Sequence, residues 1–457
     1  MTEFLTALSA KLWGAPLLAL LLGTGIFLTV RTGFGAWRNL PGACALLLSP
    51  GVRHSDGGIS PLAALMTALA STLGTGNIVG VATALTAGGP GALVWMEISA
   101  LFGLAAKFSE CALAVRFRRP GEHSGGPMVV MARGLRPRLL GRVMGGAFAL
   151  FAVGASFGMG NMAQTNAMAT ALEAAFSVPP WITAAAAGLI TLVVIRGGIG
   201  RIAGVSGFLV PLMALGYLGG AAAVIAGHWQ ALPAAVGQMF AQALGPEAVL
   251  GGTAGAAVRY GVARGIFSNE AGMGSAAIAA AAADGDCPAL HGYINMVGAF
   301  FDTCVVCTVT GLAICCSGVL ETARGADGAA LTILAFESVL GRWGGALVAV
   351  CVALFSFSSV LGWAYQGETA LTYLTGGRGR TLYRGAFALA AGVGAVSRLE
   401  TVFALSDICN ALMAVPNLLC LLALSATAAR EMEAFEPAVR KRKKTVNFLG
   451  CGCIFWI

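Results

Sequence analysis

The chain has 457 residues, of which 57% are hydrophobic and only 11% charged, with a mean hydropathy of +0.82. That leaves too few polar residues to cover a soluble globule, so the composition excludes one. The net charge of +8 does not indicate a nucleic-acid partner either, because the basic residues are spread over alternate loops rather than gathered on one face.

Repeated apolar stretches of about 20 residues match a hydrocarbon core roughly 30 Å thick. Only helices or closed barrels satisfy their backbone there, and long continuous runs select helices over alternating ten-residue strands. The 65 glycines suit close helix packing and interrupted helices in lipid. Eleven spans are expected, at about 13–31, 60–86, 91–115, 143–172, 180–196, 203–227, 250–283, 292–318, 343–373, 380–397 and 401–428. The first follows a weakly charged segment without a convincing small-residue cleavage site, and is expected to be retained rather than removed as a signal peptide.

Loop charges give the orientation. With the N-terminus outside, cytoplasmic segments hold 21 Lys and Arg residues, including the run Arg116 to Arg142 and the tail Arg430 to Lys444, against four outside, Lys11, Arg324, Arg342 and Arg398. Such an asymmetry predicts an odd number of spans and a cytoplasmic C-terminus. No polar interval is long enough to fold alone. The longest, near 116–142, is basic and is expected to hold a short interfacial helix; the tail 431–457 is charged, then apolar and Cys-rich from Asn447 to Ile457, with no function assigned to it. Most of the twelve cysteines lie in apolar runs and read as small buried hydrophobes. Cys304 and Cys307 form a C-x-x-C without a nearby His or second pair, which speaks against metal or redox chemistry.

Two apolar segments are broken by glycine and polar residues. The second span contains Ser71-Thr72-Leu73-Gly74-Thr75-Gly76-Asn77-Ile78, and the seventh contains Arg264-Gly265-Ile266-Phe267-Ser268-Asn269-Glu270-Ala271-Gly272-Met273-Gly274-Ser275. Unwinding at Gly74 and Gly76 frees N–H groups at a half-helix N-terminus, where the dipole favours a carboxylate. It also frees carbonyls, hard oxygen donors for a small cation. For either segment alone, close packing with Asn77 as a polar clasp explains the pattern equally well. Two such segments five spans apart occupy equivalent places in an inverted pair of five-helix units, and that pairing points to a midplane transport site.

These residues also carry a resemblance. Gly74-Thr75-Gly76-Asn77-Ile78, Gly88-Gly89-Pro90-Gly91-Ala92, Lys107-Phe108-Ser109-Glu110, Gly160-Asn161-Met162-Ala163-Gln164 and the run Gly265 to Ser275 resemble the alanine or glycine:cation symporter family. Phe357-Ser358-Ser359 to Gly362-Trp363-Ala364-Tyr365 adds a further match, and the likeness extends over about 60–428. It implies an all-α integral membrane protein of the leucine-transporter fold, with two inverted repeats of five helices preceded by one extra helix. The expected divisions are 1–59 for the N-terminal helix and loop, 60–227 and 250–428 for the two repeats, and 429–457 for a basic cytoplasmic tail. It also implies sodium-driven uptake of a small neutral amino acid, alanine or glycine, with Na+ as coupling ion, no organic cofactor, no obligatory protein partner, and a location in the cell inner membrane.

By the same resemblance, the amino-acid carboxylate meets N–H groups around Thr75 and Gly76. The ammonium meets carbonyls near Thr72 and near Phe267 or Ser268. Gln164 hydrogen-bonds the ligand or, alternatively, clasps Asn161 or Asn166. Trp363 and Met273 wall the side-chain pocket or simply pack, and Ser359 borders it. One cation is expected on the carbonyls of Ala70 and Leu73 with the hydroxyls of Ser358 and Ser359, which otherwise bond back to the preceding helical turn. Asn77 is expected to serve a second cation beside the carboxylate.

Intramembrane carboxylates are expensive unless paired or hydrated. Glu270 is expected to bond exposed N–H groups or shape the cavity. Glu97, Glu110, Asp302, Glu368 and Asp407 are expected as partners of Lys107, Arg259 and Arg264, or as gating groups. None of His54, His123, His228 and His291 falls mid-span, which disfavours a histidine proton relay. Three other readings stay open: a proton-coupled carrier of the same fold, a membrane-embedded enzyme using Glu270 or Asp302, and a channel. The enzyme reading lacks H-E-x-x-H, paired aspartates at helical spacing and G-x-S-x-G.

Overall fold

The computed structural model describes residues 2–47, 59–119, 122–244, 252–323, 325–326, 328–397 and 400–448, and these are almost wholly helical. The expectations for Arg53, His54, Arg324, Arg398 and the Cys-rich end from 449 onward lie outside the described residues.

Helices begin where the sequence supplies a start. Pro61, Pro180 and Pro288 stand in first turns, where a missing N–H costs nothing, and Ser60 accepts from the Ala63 N–H at 3.2 Å. Helix α1 (Ala15–Arg31) is followed by the first interrupted segment, α2 (Pro61–Thr72) and α3 (Val81–Gly88), which are bent by 50°. Next come α4 (Gly91–Arg116), α5 (Arg138–Phe157), α6 (Ala163–Phe176), α7 (Pro180–Arg196) and α8 (Gly198–Gly227). The second interrupted segment is α9 (Gly252–Asn269) and the six-residue α10 (Ser275–Ala280). The order closes with α11 (Pro288–Ala299), α12 (Thr308–Cys316), α13 (Arg342–Thr375), α14 (Arg380–Val396), α15 (Glu400–Ala423) and the tail helix α16 (Ser425–Phe448).

Each of the eleven expected spans overlaps helix among the described residues. Among the described residues, seven helices are long and apolar enough to cross a bilayer, and the bent pair α2–α3 makes an eighth. Of the rest, α7 and α14 are 17-residue helices and 250–283 holds the second break. The expected helix in the 116–142 interval is Pro127–Gly134, with Met128, Val130 and Met131 buried.

Helix α4 is the axis of the molecule. Every residue from Leu104 to Val115 is buried, so the helix is enclosed on all sides rather than on one stripe. Large side chains such as Leu189, Phe208, Leu215 and Leu389 point outward, as lipid contact requires. The closest packing on α4 is made by α9, through two glycines four residues apart. A Cβ on Gly261 would stand 2.7 Å from Trp95 Cβ, and one on Gly265 would stand 3.0 Å from the Met96 carbonyl oxygen. The small-residue spacing thus lets two backbones touch. Replacing Gly265 by Val should separate α9 from α4 and cost about 1–3 kcal/mol, read as a lowered melting temperature in detergent.

Candidate functional site

The first break starts at Leu73, whose ψ of 82° ends α2, and resumes in one π-helical turn, Gly76–Gly80. The freed amides have named partners. Gly74 N–H donates to Asn77 Oδ1 at 3.2 Å, and Thr75 N–H donates to Gln164 Oε1 at 3.3 Å. Gln164 reaches this point because α5 and α6 are joined through a second π-helical turn, Gly158–Met162, where its Nε2 donates to the Met159 carbonyl at 3.2 Å. Its alternative partners are engaged elsewhere: Asn161 donates to Phe387 O at 2.7 Å, and Asn166 to Gly394 O and Ser397 O.

Neither Gly74 nor Gly76 has a positive φ; both are needed for space. A Cβ on Gly74 would collide with Ser359 Oγ and sit 3.2 Å from Gln164 Oε1. One on Gly76 would lie 3.3 Å from Ser268 Cα and 3.7 Å from the Phe267 carbonyl oxygen. The two interrupted helices therefore meet at Gly76 and Ser268.

The second break differs in kind. Glu270, Gly272 and Gly274 have φ of 52°, 83° and 84°, a left-handed turn for which glycine is the natural residue. The Ala271 N–H donates to Asn269 Oδ1 at 2.9 Å. Gly274 N–H donates to Glu110 Oε2 at 3.1 Å, and Asn417 Nδ2 ties the turn through the Gly272 carbonyl at 2.8 Å. The Glu270 backbone carbonyl accepts the Met273 N–H at 3.2 Å, but its carboxylate accepts none of the turn's N–H groups. Its carboxylate takes the Ser275 hydroxyl, and it is Glu110, reaching across from α4, that accepts the Gly274 N–H.

Asn77 joins the two breaks. Its Nδ2 lies 3.0 Å from Ser268 Oγ, 3.0 Å from Asp302 Oδ1 and 2.9 Å from the Asp302 carbonyl oxygen. Ser268 and Thr303 hydroxyls donate to Asp302 Oδ2 at 2.8 and 3.0 Å, and all four residues are buried. Asp302 sits on a third π-helical segment, Phe300–Cys307, which turns its carboxylate onto the break. It pairs with neutral donors rather than with a basic side chain.

The four groups expected at a cation converge on α2 and α13. Ser358 Oγ lies 3.2 Å from Ala70 O and 3.4 Å from Leu73 O, and Ser359 Oγ lies 3.5 Å from Leu73 O. Ser358 also donates to Phe355 O at 2.8 Å, the expected bond back to its own helix. Both geometries coexist. Trp363, one turn on, is buried against Gly160, where a Cβ would overlap its ring. Phe267 turns its carbonyl toward Gly76 while its ring meets Trp13 at 6.4 Å, edge to face. Met273 is buried in the same hydrophobic cluster as Trp363, in the turn after Glu270.

Among the other carboxylates, Glu110 pairs with Lys107 at 3.3 Å. Glu368 holds Arg384 through two contacts at 2.6 and 2.7 Å. Arg264 lies over the Phe267 ring and Arg259 over Tyr260. The link from Asn77 to Asp302, and from Glu110 to Gly274, had no sequence signal beyond the rarity of intramembrane carboxylates.

The profile of the sodium:alanine symporter family matches residues 1–449. The chain belongs to that family. It is 44% identical to the sodium/alanine symporter AgcS of Methanococcus maripaludis, over 96% of this chain and 98% of that protein. It is 37% identical to the amino-acid carrier protein AlsT of Bacillus subtilis, over 94% of this chain and 90% of AlsT. The structure of MhsT in complex with L-phenylalanine superposes on 83% of this chain and 99% of its own, with a TM-score of 0.56 at 12% identity, which shows a shared fold. The protein is therefore a multi-pass membrane transporter of the leucine-transporter fold, a symporter of the amino-acid:cation class and not an enzyme.

The Asn77 amide bonds both interrupted helices and the Asp302 segment. Asn77→Ala would leave the Gly74 N–H and an Asp302 oxygen without it, at about 1–3 kcal/mol for each unsatisfied buried group. Thermal unfolding in detergent should show a clear destabilisation, whereas Thr86→Ala on the distal end of α3 should change little.

Proposed function

We propose that the protein couples inward sodium movement to uptake of a small neutral amino acid, alanine or glycine, by alternating access in the cell inner membrane, with its N-terminus outside and C-terminus cytoplasmic. The two five-helix units run over 60–227 and 250–428. The observation that carries sodium coupling is the approach of four uncharged oxygens, Ala70 O, Leu73 O, Ser358 Oγ and Ser359 Oγ, beside the end of α2. Uncharged hard oxygens in a dry interior suit a small monovalent cation. The negative end of the α2 dipole adds to the attraction.

Asn77 serves a second cation, with Asp302 and Ser268 as further oxygen donors. A buried carboxylate surrounded by neutral donors gains most from a cation brought to it. The amino acid binds between the breaks. Its carboxylate takes the Thr75 and Gly76 amides, displacing the Gln164 oxygen, which frees Gln164 to bond the ligand. Its ammonium takes carbonyls near Thr72 and near Phe267 or Ser268. Gly74 and Gly76 keep this gap narrow, Trp363, Met273 and Ser359 bound it, and a short side chain suits it best.

Sodium and amino acid bind the same elements, so each should tighten the other by the same factor at equilibrium. Calorimetry that finds neither affinity changed by the other ligand would refute direct coupling. In proteoliposomes, replacing external sodium with choline under a fixed pH gradient should abolish alanine uptake; persistence of uptake would favour the proton-coupled reading. Ser359→Ala should weaken sodium by about tenfold, the effect of losing roughly 1.4 kcal/mol of one oxygen contact. Gln164→Ala should weaken the amino acid more than sodium. Normal uptake and sodium dependence in both variants would remove this site assignment.

A further inference from the structure

The Lys107–Glu110 pair is a buried charge pair that transport, as described so far, does not use. Both side chains are almost fully enclosed, at 2% and 0% exposure. Glu110 Oε1 faces the ammonium at 3.3 Å, while Oε2 accepts from Gly274 N–H and from Asn417 Nδ2 at 3.3 Å. The ammonium itself has no aligned hydrogen bond among the described residues, although it carries three donors. Beside it lies a small cavity whose lining includes Lys107, Thr72, Asn269 and Asn295 together with Leu69 and Gly298. Asn295 is also buried, and its Oδ1 likewise has no partner among the described residues.

An unsatisfied donor and an unsatisfied acceptor thus belong to side chains lining one small, mostly apolar cavity. Buried polar groups are nearly always partnered, so this arrangement needs an occupant. A water bridging the two fits, and so does the ammonium itself, swung away from Glu110. Leu65, Ala68, Leu69 and Thr72 line it, so the cavity flanks the last two turns of α2, on the negative side of that helix dipole, which favours a cation. The other ionisable groups that interact with the pair are Glu270 on the second break, Asp302 on the π-helical segment and Cys111 on α4 itself; α11, packed against α4, carries His291 and Tyr293, and α15 contributes the neutral Asn417.

We propose that Lys107 is a tethered cation with two stations, held by Glu110 when that carboxylate is ionised and released into the Thr72–Asn295 cavity when Glu110 takes up a proton from water. No bond other than the O–H of Glu110 forms or breaks, and the ammonium keeps its proton throughout. In its second station the ammonium stands at the same helix end whose Ala70 and Leu73 carbonyls are assigned to sodium, so this step rests on that assignment. Two like charges at one helix end oppose each other. Protons and sodium are then antagonists. Sodium binding expels the ammonium from the cavity, restores the Lys107–Glu110 pair and releases the Glu110 proton, and the linkage is reciprocal.

Two measurements on the full-length protein test this. Sodium affinity, followed with radioactive sodium on purified protein, should rise with pH by up to about tenfold per pH unit where Glu110 titrates, the slope for one proton released. The double substitution Lys107→Met with Glu110→Gln removes both charges together, so neither is left buried alone. It should still bind sodium, with the pH slope lost. Infrared titration of the protein in nanodiscs should show a carboxylic-acid C=O band that grows on acidification and is missing in Glu110→Gln. An unchanged slope in the double variant, or a wild-type spectrum without that band at any pH, overturns the proposal. If the wild type binds no sodium at all, sodium coupling itself fails, and the two-station lysine is then decided by the infrared band.

Discussion

A backbone amide released from a helix in a water-free interior must find a partner, and the polar groups at the centre of this protein include the partners that its two breaks demand. Asn77 answers Gly74, Gln164 answers Thr75, Asn269 answers Ala271, and Glu110 answers Gly274. Each reply comes from a residue that would otherwise be out of place in a membrane helix. Once these four are fixed, further polar groups follow from them: Asp302 from Asn77, Lys107 from Glu110, and Asn417 from the Gly272 carbonyl.

Glycine makes room at both breaks, but only at the second does it also carry a left-handed backbone. At Gly74 and Gly76 the missing Cβ makes room for α13, for Gln164 and for Ser268, so the first break is a place of close approach between helices. At Gly272 and Gly274 the missing Cβ permits a left-handed turn, so the second break is a fixed reversal strapped to α4 and α15. A ligand in the proposed gap at Gly76 would therefore meet one wall made of contacts between helices and another made of a strapped turn.

Much of this was legible in the sequence. Helical class, broken segments and the convergence of Ser358 and Ser359 on Ala70 and Leu73 followed from apolar length, glycine position and family resemblance. The π-helical turns did not: nothing in Gly158–Met162 or Phe300–Cys307 distinguishes one extra residue per turn from an ordinary helix, yet those turns aim Gln164 and Asp302 at the break. The division of roles at the second break is likewise not local: Glu270 accepts the Met273 N–H through its carbonyl and the Ser275 hydroxyl through its carboxylate, while a carboxylate 164 positions away accepts the Gly274 N–H. Pairing across that distance depends on how α4 packs, which is set by Gly261 and Gly265 and not by the local motif.

The proposed cation position has a consequence for how an ion acts on the bundle. The Ser358 and Ser359 oxygens already stand 3.2–3.5 Å from the α2 carbonyls in three contacts. A cation there would draw the hydroxyl lone pairs inward and replace these long contacts with ion–oxygen contacts. The ion therefore does not create the α2–α13 contact; it strengthens one that exists, and it does so only in the arrangement where carbonyls and hydroxyls face each other. A ligand shifts a conformational equilibrium solely through such a difference between states. Coupling of ion to substrate then needs no long relay, because Leu73, which carries a proposed cation-binding carbonyl, is followed directly by the Gly74 and Thr75 amides proposed to line the amino-acid gap.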